Sequence, residues 1–117
     1  MELTPMVSVA DLDAALMQST TMPVLLFKHS DTCGISEMAF DEMRAHLQGR
    51  PFSVCYGLIT VQTGRHVSDE VVRRLGVRHE SPQVILVRDG KVLWHASHHH
   101  VTAEEIESAL REHVPPA

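Results

Sequence analysis

The pattern of apolar and polar positions predicts short strands that alternate with helices. Four apolar runs have the length of a strand, at residues 23–29, 52–61, 83–88 and 91–96. Between the first two runs, apolar residues recur at helical spacing from Cys33 to Gln48. With a further short strand at Met6–Val9, the predicted element order is β-α-β-α-β-α-β-β-α.

Capping residues set the ends of the predicted helices. The first helix covers Asp11–Gln18, and the longest one stops at Gly49. Ser68 and Asp69 have side chains that accept hydrogen bonds from a first helical turn. We therefore expect them to cap a third helix that ends at Gly76.

The last third of the chain predicts a hairpin followed by a helix. Asp89-Gly90 joins two apolar runs, which is the strongest short-range signal for a β-hairpin. Residues 102–105, TAEE, have the sequence of a capping box that starts the last helix. Helices between the earlier strands require parallel pairing with right-handed crossovers. The prediction is one α/β domain over residues 1–117, with a central mixed β-sheet and helices on both faces, which resembles the thioredoxin fold.

Composition and charge narrow the classes of function. A chain of 117 residues suits one domain, and its net charge of −5 without a block of Lys or Arg disfavours nucleic acids and anionic membranes as partners. No apolar run approaches the roughly 20 residues that span a bilayer, and we expect no signal peptide. Two cysteines do not form a secreted disulfide framework, so we expect a cytoplasmic protein with reduced thiols.

Cys33 is the candidate catalytic residue. It lies between the 23–29 run and the longest helix, at the sheet edge where α/β proteins bind ligands. The helix dipole and the first-turn amides of Gly34 and Ile35 would stabilise the thiolate, which is the nucleophilic form. Ser36 stands where a dithiol enzyme carries a second cysteine, and its hydroxyl is a candidate hydrogen-bond donor to the thiolate.

Charged neighbours act on this thiol in both directions. Lys28 and His29 would add positive potential and are candidate substrate contacts, whereas Asp31 and Glu37 oppose ionisation of the thiol. We predict a lowered thiol pKa. The alternative is that the cysteine is a small, buried, unreactive side chain at a chain turn.

Ser81-Pro82 is the second candidate element of the site. It directly precedes the 83–88 run, and proline is tolerated where a strand begins. In thioredoxin-like proteins such a loop faces the thiol and leaves backbone groups free to pair with a substrate, so the resemblance to that fold implies a cis Ser81-Pro82 bond; the alternative is an ordinary trans bond. Arg78 and His79, just before it, are candidates for binding an anionic group of the substrate.

Three stretches of the chain resemble the YtxJ-type monothiol bacilliredoxins, thioredoxin-fold proteins of bacteria that make bacillithiol. The stretches are FKHSDTCGIS, RHESPQVILVRDGKVLWHASH and VTAEEIESAL. The family motif is Thr-Cys-Pro-Ile-Ser, and this chain has Thr32-Cys33-Gly34-Ile35-Ser36. Glycine in place of proline loosens the start of the helix, which bears on the rigidity and the redox poise of the site.

The resemblance implies the reaction. The Cys33 thiolate attacks bacillithiol in a mixed disulfide with a protein, frees the protein thiol and keeps the bacillithiol. A second bacillithiol or a partner reductase then regenerates the thiol, so one cysteine is sufficient. The implied partners are S-bacillithiolated proteins and bacillithiol itself, which is a co-substrate; no bound cofactor and no metal are expected.

Other residues allow other interpretations. Cys55 lies within the 52–61 run, where core packing is a simpler account than a resolving thiol. Four histidines follow or end the hairpin and suggest a metal site, although a solvated loop accounts for them better: His95, His98, His99 and His100. The same loop precedes the last helix and is a candidate for holding the carboxylates of a small thiol.

Three other functions are compatible with the sequence. A monothiol glutaredoxin-like protein would use glutathione or carry an iron–sulfur cluster, although the late loop SHHHVT lacks the glycine pair typical of glutathione-binding glutaredoxins. A thioredoxin-fold interaction domain would have lost thiol reactivity. A metal carrier would use the histidine loop.

Overall fold

The computed structural model describes residues 3–32, 34–49 and 52–114. Within these ranges the chain forms one five-stranded sheet with helices on both faces. The strands are β1 (Leu3–Pro5), β2 (Val24–His29), β3 (Cys55–Thr60), β4 (Gln83–Arg88) and β5 (Lys91–Ser97). The helices are α1 (Val9–Gln18), α2 (Gly34–Gly49), α3 (Arg65–Leu75) and α4 (Ala103–His113), with a 3-10 turn at His98–His100.

The sheet is mixed, as predicted, and its order is β1-β3-β2-β4-β5. β3 pairs in parallel with β1 and β2, whereas β4 is antiparallel to both β2 and β5. The carboxyl ends of β2 and β3 therefore meet at one edge of the sheet. The first turns of α2 and α3 follow from that edge, which also receives the amino end of β4.

β2 is the central strand and separates two apolar cores. Leu25 and Phe27 pack with α2 and α4 on one face, while Val24 and Leu26 pack with α1 and α3 on the other. None of the four is more than 1% exposed, which explains the uninterrupted apolar run in the sequence. The alternation continues past them, so the last two residues of β2 point to opposite faces.

The position predicted for the first strand, Met6–Val9, is wrong. The strand is Leu3–Pro5, and Val9 is the first residue of α1. Ser8 caps the helix by accepting a hydrogen bond from the Asp11 amide, and the Asp11 carboxylate accepts one from the Ser8 amide. This reciprocal cap satisfies amides at the helix start and outweighs the strand preference of the valines.

The predicted cap of the third helix is also wrong. α3 begins at Arg65 after Gly64, and Ser68 is a buried residue inside the helix. The Gly64 amide donates to the Thr60 carbonyl at 2.7 Å, so the chain turns into the helix directly after β3. A Cβ atom at Gly64 would lie 3.1 Å from the Thr60 oxygen, which favours glycine in this close turn.

The first helix starts at Val9 and not at the predicted Asp11, whereas the predicted end of the third helix and start of the fourth agree with the structure. Gly76 ends α3 with a left-handed φ of 71°. Thr102 caps α4 by accepting a hydrogen bond from the Glu105 amide at 3.1 Å. The longest predicted helix began at Cys33, which lies outside the described residues; α2 is described from Gly34. Among the described residues, no helix is long and apolar enough to cross a membrane.

Candidate functional site

The residues on either side of Cys33 define the site, since Cys33 itself lies outside the described residues. Thr32 is exposed and ends the turn after β2, and Gly34 is the first residue of α2. Ile35, the next residue, is half-buried. The motif therefore spans the junction between the central strand and the longest helix, at the predicted edge of the sheet.

Ser36 connects the motif helix to two other segments. Its side chain is fully buried, and its hydroxyl oxygen accepts a hydrogen bond from the Ser30 amide at 3.2 Å. The same oxygen lies 3.5 Å from the hydroxyl oxygen of Ser81. The structure thus brings together the motif and the loop before β4, which are 45 residues apart in the chain.

The Ser81–Pro82 peptide bond is cis. Pro82 is buried, and its carbonyl oxygen accepts a hydrogen bond from the His98 amide at 2.9 Å. Gln83 then begins β4 and pairs with both Lys28 and Ser97. The loop is therefore fixed on one side by β5 and lies against the first turn of α2 on the other.

Gln62 contacts the segment before Cys33 and was not predicted. Its amide nitrogen donates to the hydroxyls of Ser30 at 2.6 Å and Thr32 at 3.1 Å. Its amide oxygen accepts a hydrogen bond from the Asp31 amide at 3.1 Å. No motif marks this residue, but the parallel pairing of β2 and β3 was a usable signal, because polar residues that follow such strands meet at one edge.

Lys28 lies inside the protein and not at the surface where a substrate would bind. Its side chain is fully buried, and its ammonium donates to the Ser68 carbonyl and to Nδ1 of His79, each at 3.3 Å. Burial lowers the pKa of Lys28 to about 8, against the attraction of Asp69. Lys28 is therefore not placed to contact a substrate directly, and its polar partners are Ser68 and His79.

His79 is held in a defined orientation by this network. The Ser68 hydroxyl lies 3.2 Å from its Nδ1, the same atom that faces the Lys28 ammonium. Because an ammonium group only donates, Nδ1 accepts and the ring carries its proton on Nε2. Burial, and then the charge of Lys28, lower the pKa of His79. Both His79 and Arg78 have exposed surface beside the cis-proline loop.

His29 points to the opposite face of the sheet and packs against the motif helix. Its ring meets that of Phe40 edge-on, with 4.8 Å between centroids. Its Nδ1 is buried and has no hydrogen-bond partner among the described residues. Burial lowers the pKa of His29, so the ring is mostly neutral at neutral pH and adds less positive potential than predicted.

The histidine loop lies beside the first turn of α2. Residues 98–100 form an exposed 3-10 turn, in which His100 lies 3.3 Å from the carboxylate of Glu105. A small groove of about 130 Å³ separates this turn from Ile35 and Met38. Among residues 3–32, 34–49 and 52–114, no three histidine, cysteine or acidic side chains are grouped as metal ligands would be.

Cys55 lies at the other edge of the sheet. It is the first residue of β3 and pairs with Val24 at the start of β2, whereas the motif follows the end of β2. Its sulfur lies 3.4 Å from the sulfur of Met22, and burial raises its pKa. The half-buried side chain packs against the α1–α3 core, as predicted for a packing cysteine.

These features define a protein of the thioredoxin fold. A solved structure described as a candidate oxidoreductase with a thioredoxin fold is 26% identical, covers 92% of each chain and has a TM-score of 0.80. Fasciola hepatica thioredoxin is 14% identical, with coverages of 95% and 99% and a TM-score of 0.76. Thioredoxin from Trypanosoma brucei brucei is 18% identical, with coverages of 95% and 89% and a TM-score of 0.74. The fold predicted from the sequence is confirmed.

The family follows from a match over most of the chain. The family model described as monothiol bacilliredoxin BrxC matches residues 4–106, and the chain belongs to the monothiol bacilliredoxin family. This match confirms the resemblance carried by the three sequence stretches. Family and fold together support a thiol–disulfide redox function.

Proposed function

We propose that this protein removes bacillithiol from S-bacillithiolated proteins by monothiol exchange at Cys33. The observation that carries the proposal is the place of Ser36. A buried hydroxyl, hydrogen-bonded to the Ser30 amide, stands where a dithiol enzyme would have its resolving cysteine. The chain's other cysteine, Cys55, belongs to the opposite edge of the sheet. The resolving thiol must therefore come from another molecule.

The reaction balances without an external oxidant. The Cys33 thiolate attacks the bacillithiol sulfur, the mixed disulfide breaks, and the target protein leaves as a thiolate that takes up a proton. The bacillithiol now forms a disulfide with Cys33. A second bacillithiol, or a reductase thiol, attacks that bacillithiol sulfur and releases the Cys33 thiolate. Bacillithiol is thus a co-substrate, and this transient chemistry fits a reducing cytoplasm.

Protein groups around the junction have distinct roles in this proposal. The first-turn amides of Gly34 and Ile35 favour the thiolate, since they lie at the amino end of α2. The backbone around Ser81 pairs with the extended target segment next to the mixed disulfide. Arg78 and His79, exposed just before this loop, contact carboxylates of the bacillithiol moiety.

A comparison of two mixed disulfides tests the assignment. One model protein with a single cysteine is prepared in bacillithiolated and in glutathionylated form, and each is mixed with the reduced protein. We expect release of the free thiol to be faster from the bacillithiolated form, in wild type and in Cys55→Ser but not in Cys33→Ser. Faster release from the glutathionylated form would instead assign a glutaredoxin-like activity. Release from neither form would leave a redox-inactive interaction domain.

A further inference from the structure

The turn before Cys33 is held by a side chain from a different part of the chain. Gln62 lies in the connection between β3 and α3, and it bonds the hydroxyls of Ser30 and Thr32 and the amide of Asp31. One amide group therefore contacts three consecutive residues that end next to the thiol. The hydroxyls of Ser30 and Thr32 also lie 3.3 Å apart, which completes a small network.

The connection that carries Gln62 is itself well fixed. The Val61 amide donates to the His29 carbonyl at 2.8 Å, one residue beyond the end of the β2–β3 ladder. The Gly64 amide donates to the Thr60 carbonyl at 2.7 Å and starts the turn into α3. Gln62 is therefore presented from a rigid support, although its own side chain is exposed.

The network matters because it complements the contact made by Ser36. Ser36 holds the Ser30 amide from the α2 side, and Gln62 holds Ser30, Asp31 and Thr32 from the β3 side. Cys33 is the next residue in the chain. Holding this turn determines how the chain enters α2, and hence whether the helix amides are aimed at the sulfur.

We propose that Gln62 is a positioning residue for the Cys33 thiol. The inference rests on the proposed function, for which it identifies a residue that acts through the turn rather than by touching the substrate. A neutral amide suits this place because it supplies both a donor and an acceptor and adds no charge beside the thiolate. A carboxylate there would still accept from the Asp31 amide but would not donate to the two hydroxyls.

Three substitutions separate the parts of this role. Gln62→Ala removes every contact, Gln62→Asn keeps the amide but shortens its reach, and Gln62→Glu keeps the length but loses the donor and adds a negative charge. Thr63→Ala is the matched control, because the neighbouring Thr63 is exposed and its side chain makes no hydrogen bond to the described residues. All variants are made in a Cys55→Ser background, so that Cys33 is the one thiol left to be alkylated.

The first measurement is the pH profile of Cys33 alkylation by iodoacetamide. The titratable groups near the turn and the start of α2 are the same in every variant, apart from the carboxylate that Gln62→Glu adds: His29, Asp31, Glu37, His79, His98 and His99. Differences between the pH profiles therefore measure the effect of residue 62. We expect the thiol pKa to rise by about half a unit to one unit in Gln62→Ala and Gln62→Asn, and by more in Gln62→Glu. Thr63→Ala should match the parent.

The second measurement is the rate of exchange with a bacillithiolated model protein, alongside the melting temperature. We expect exchange to slow about threefold to tenfold in Gln62→Ala. A lower melting temperature with an unchanged thiol pKa would show a merely structural residue and overturn the inference. The thiol pKa also keeps the two proposals apart: if the parent protein fails to exchange, the proposed function fails, while a shifted pKa in Gln62→Ala would still support positioning.

Discussion

Replacing Lys28 with methionine is expected to stabilise the protein at neutral pH. The Lys28 ammonium is fully buried and bonds a carbonyl and an imidazole nitrogen, with no carboxylate in hydrogen-bond contact among the described residues. Methionine has a similar length and carries no charge to bury. The Ser68 hydroxyl would still be able to donate to His79, and the Ser68 carbonyl lies inside α3, where carbonyls accept from helix amides, so the substitution leaves no isolated polar group at this point.

The pKa of Lys28 gives the size of the effect. It falls from 10.5 to about 8 on folding. Because the folded pKa of this base is lowered, the folded state binds fewer protons between these values, and stability rises with pH across that window. The full cost at neutral pH is ~3 kcal/mol at most, and ~1 kcal/mol of it is relieved between pH 7 and pH 9.

Urea unfolding at pH 7, 8 and 9 measures this contribution. Wild type should gain ~1 kcal/mol of unfolding free energy over that range relative to Lys28→Met. Lys91→Met is the matched control, since Lys91 is exposed at the start of β5, and it should follow wild type. Other groups that titrate in this range are common to all three proteins. Parallel pH dependences of wild type and Lys28→Met would show that folding does not lower the pKa of Lys28.

Three further substitutions test other parts of the structure. Ser36→Ala leaves the Ser30 amide without its acceptor, so the unfolding free energy should fall by about 1–2 kcal/mol and thiol exchange should slow; unchanged urea curves and rates would contradict this. Tyr56→Phe removes the hydroxyl that lies 2.7 Å from Nε2 of the buried His46. Urea unfolding should show that the unfolding free energy falls by about 1–3 kcal/mol, and an unchanged value would mean that this hydrogen bond does not stabilise the fold. Hydrogen bonds and charge from two arginines lower the pKa of Glu70 from 4.5 to about 2, so the stabilisation by Glu70 is present above pH 4.5 and is lost as pH falls toward 2. The acid-unfolding curve of Glu70→Gln should therefore be flatter than that of wild type in this window. Identical curves for the two proteins would argue against the ion pairs.

Sequence patterns predicted the element order, the mixed sheet and the edge that carries the site. The reason is local: the uninterrupted apolar run of β2, the Asp89-Gly90 turn and the Thr102 cap are each encoded by a few adjacent residues. The two misplaced boundaries have the same origin. From the sequence alone, a serine can cap a helix or lie inside one, and the hydrogen bonds that it forms decide between the two. In the structure Ser8 caps α1, whereas Ser68 is buried inside α3.

Sequence patterns could not predict the hydrogen bonds between side chains that are far apart in the chain. Gln62 bonds Ser30, Asp31 and Thr32, which lie 30 to 32 positions earlier in the chain. The Lys28 ammonium bonds His79, which lies 51 positions later. Both contacts depend on which strands become neighbours and on how far each turn reaches. A lysine after an apolar run also suggested an exposed charge near the thiol, because burial of an ammonium is rare unless polar partners meet it.

In the reaction that we propose, Cys33 alone accepts bacillithiol from a modified protein. The most direct measurement is the intact mass of the reduced protein after reaction with a bacillithiolated model protein, followed by mapping of the modified peptide. We expect one bacillithiol adduct on Cys33 in wild type and in Cys55→Ser, and none in Cys33→Ser, with the thiol of the model protein released in equal amount. An adduct on Cys55, or an unmodified protein beside an unchanged substrate, would contradict it.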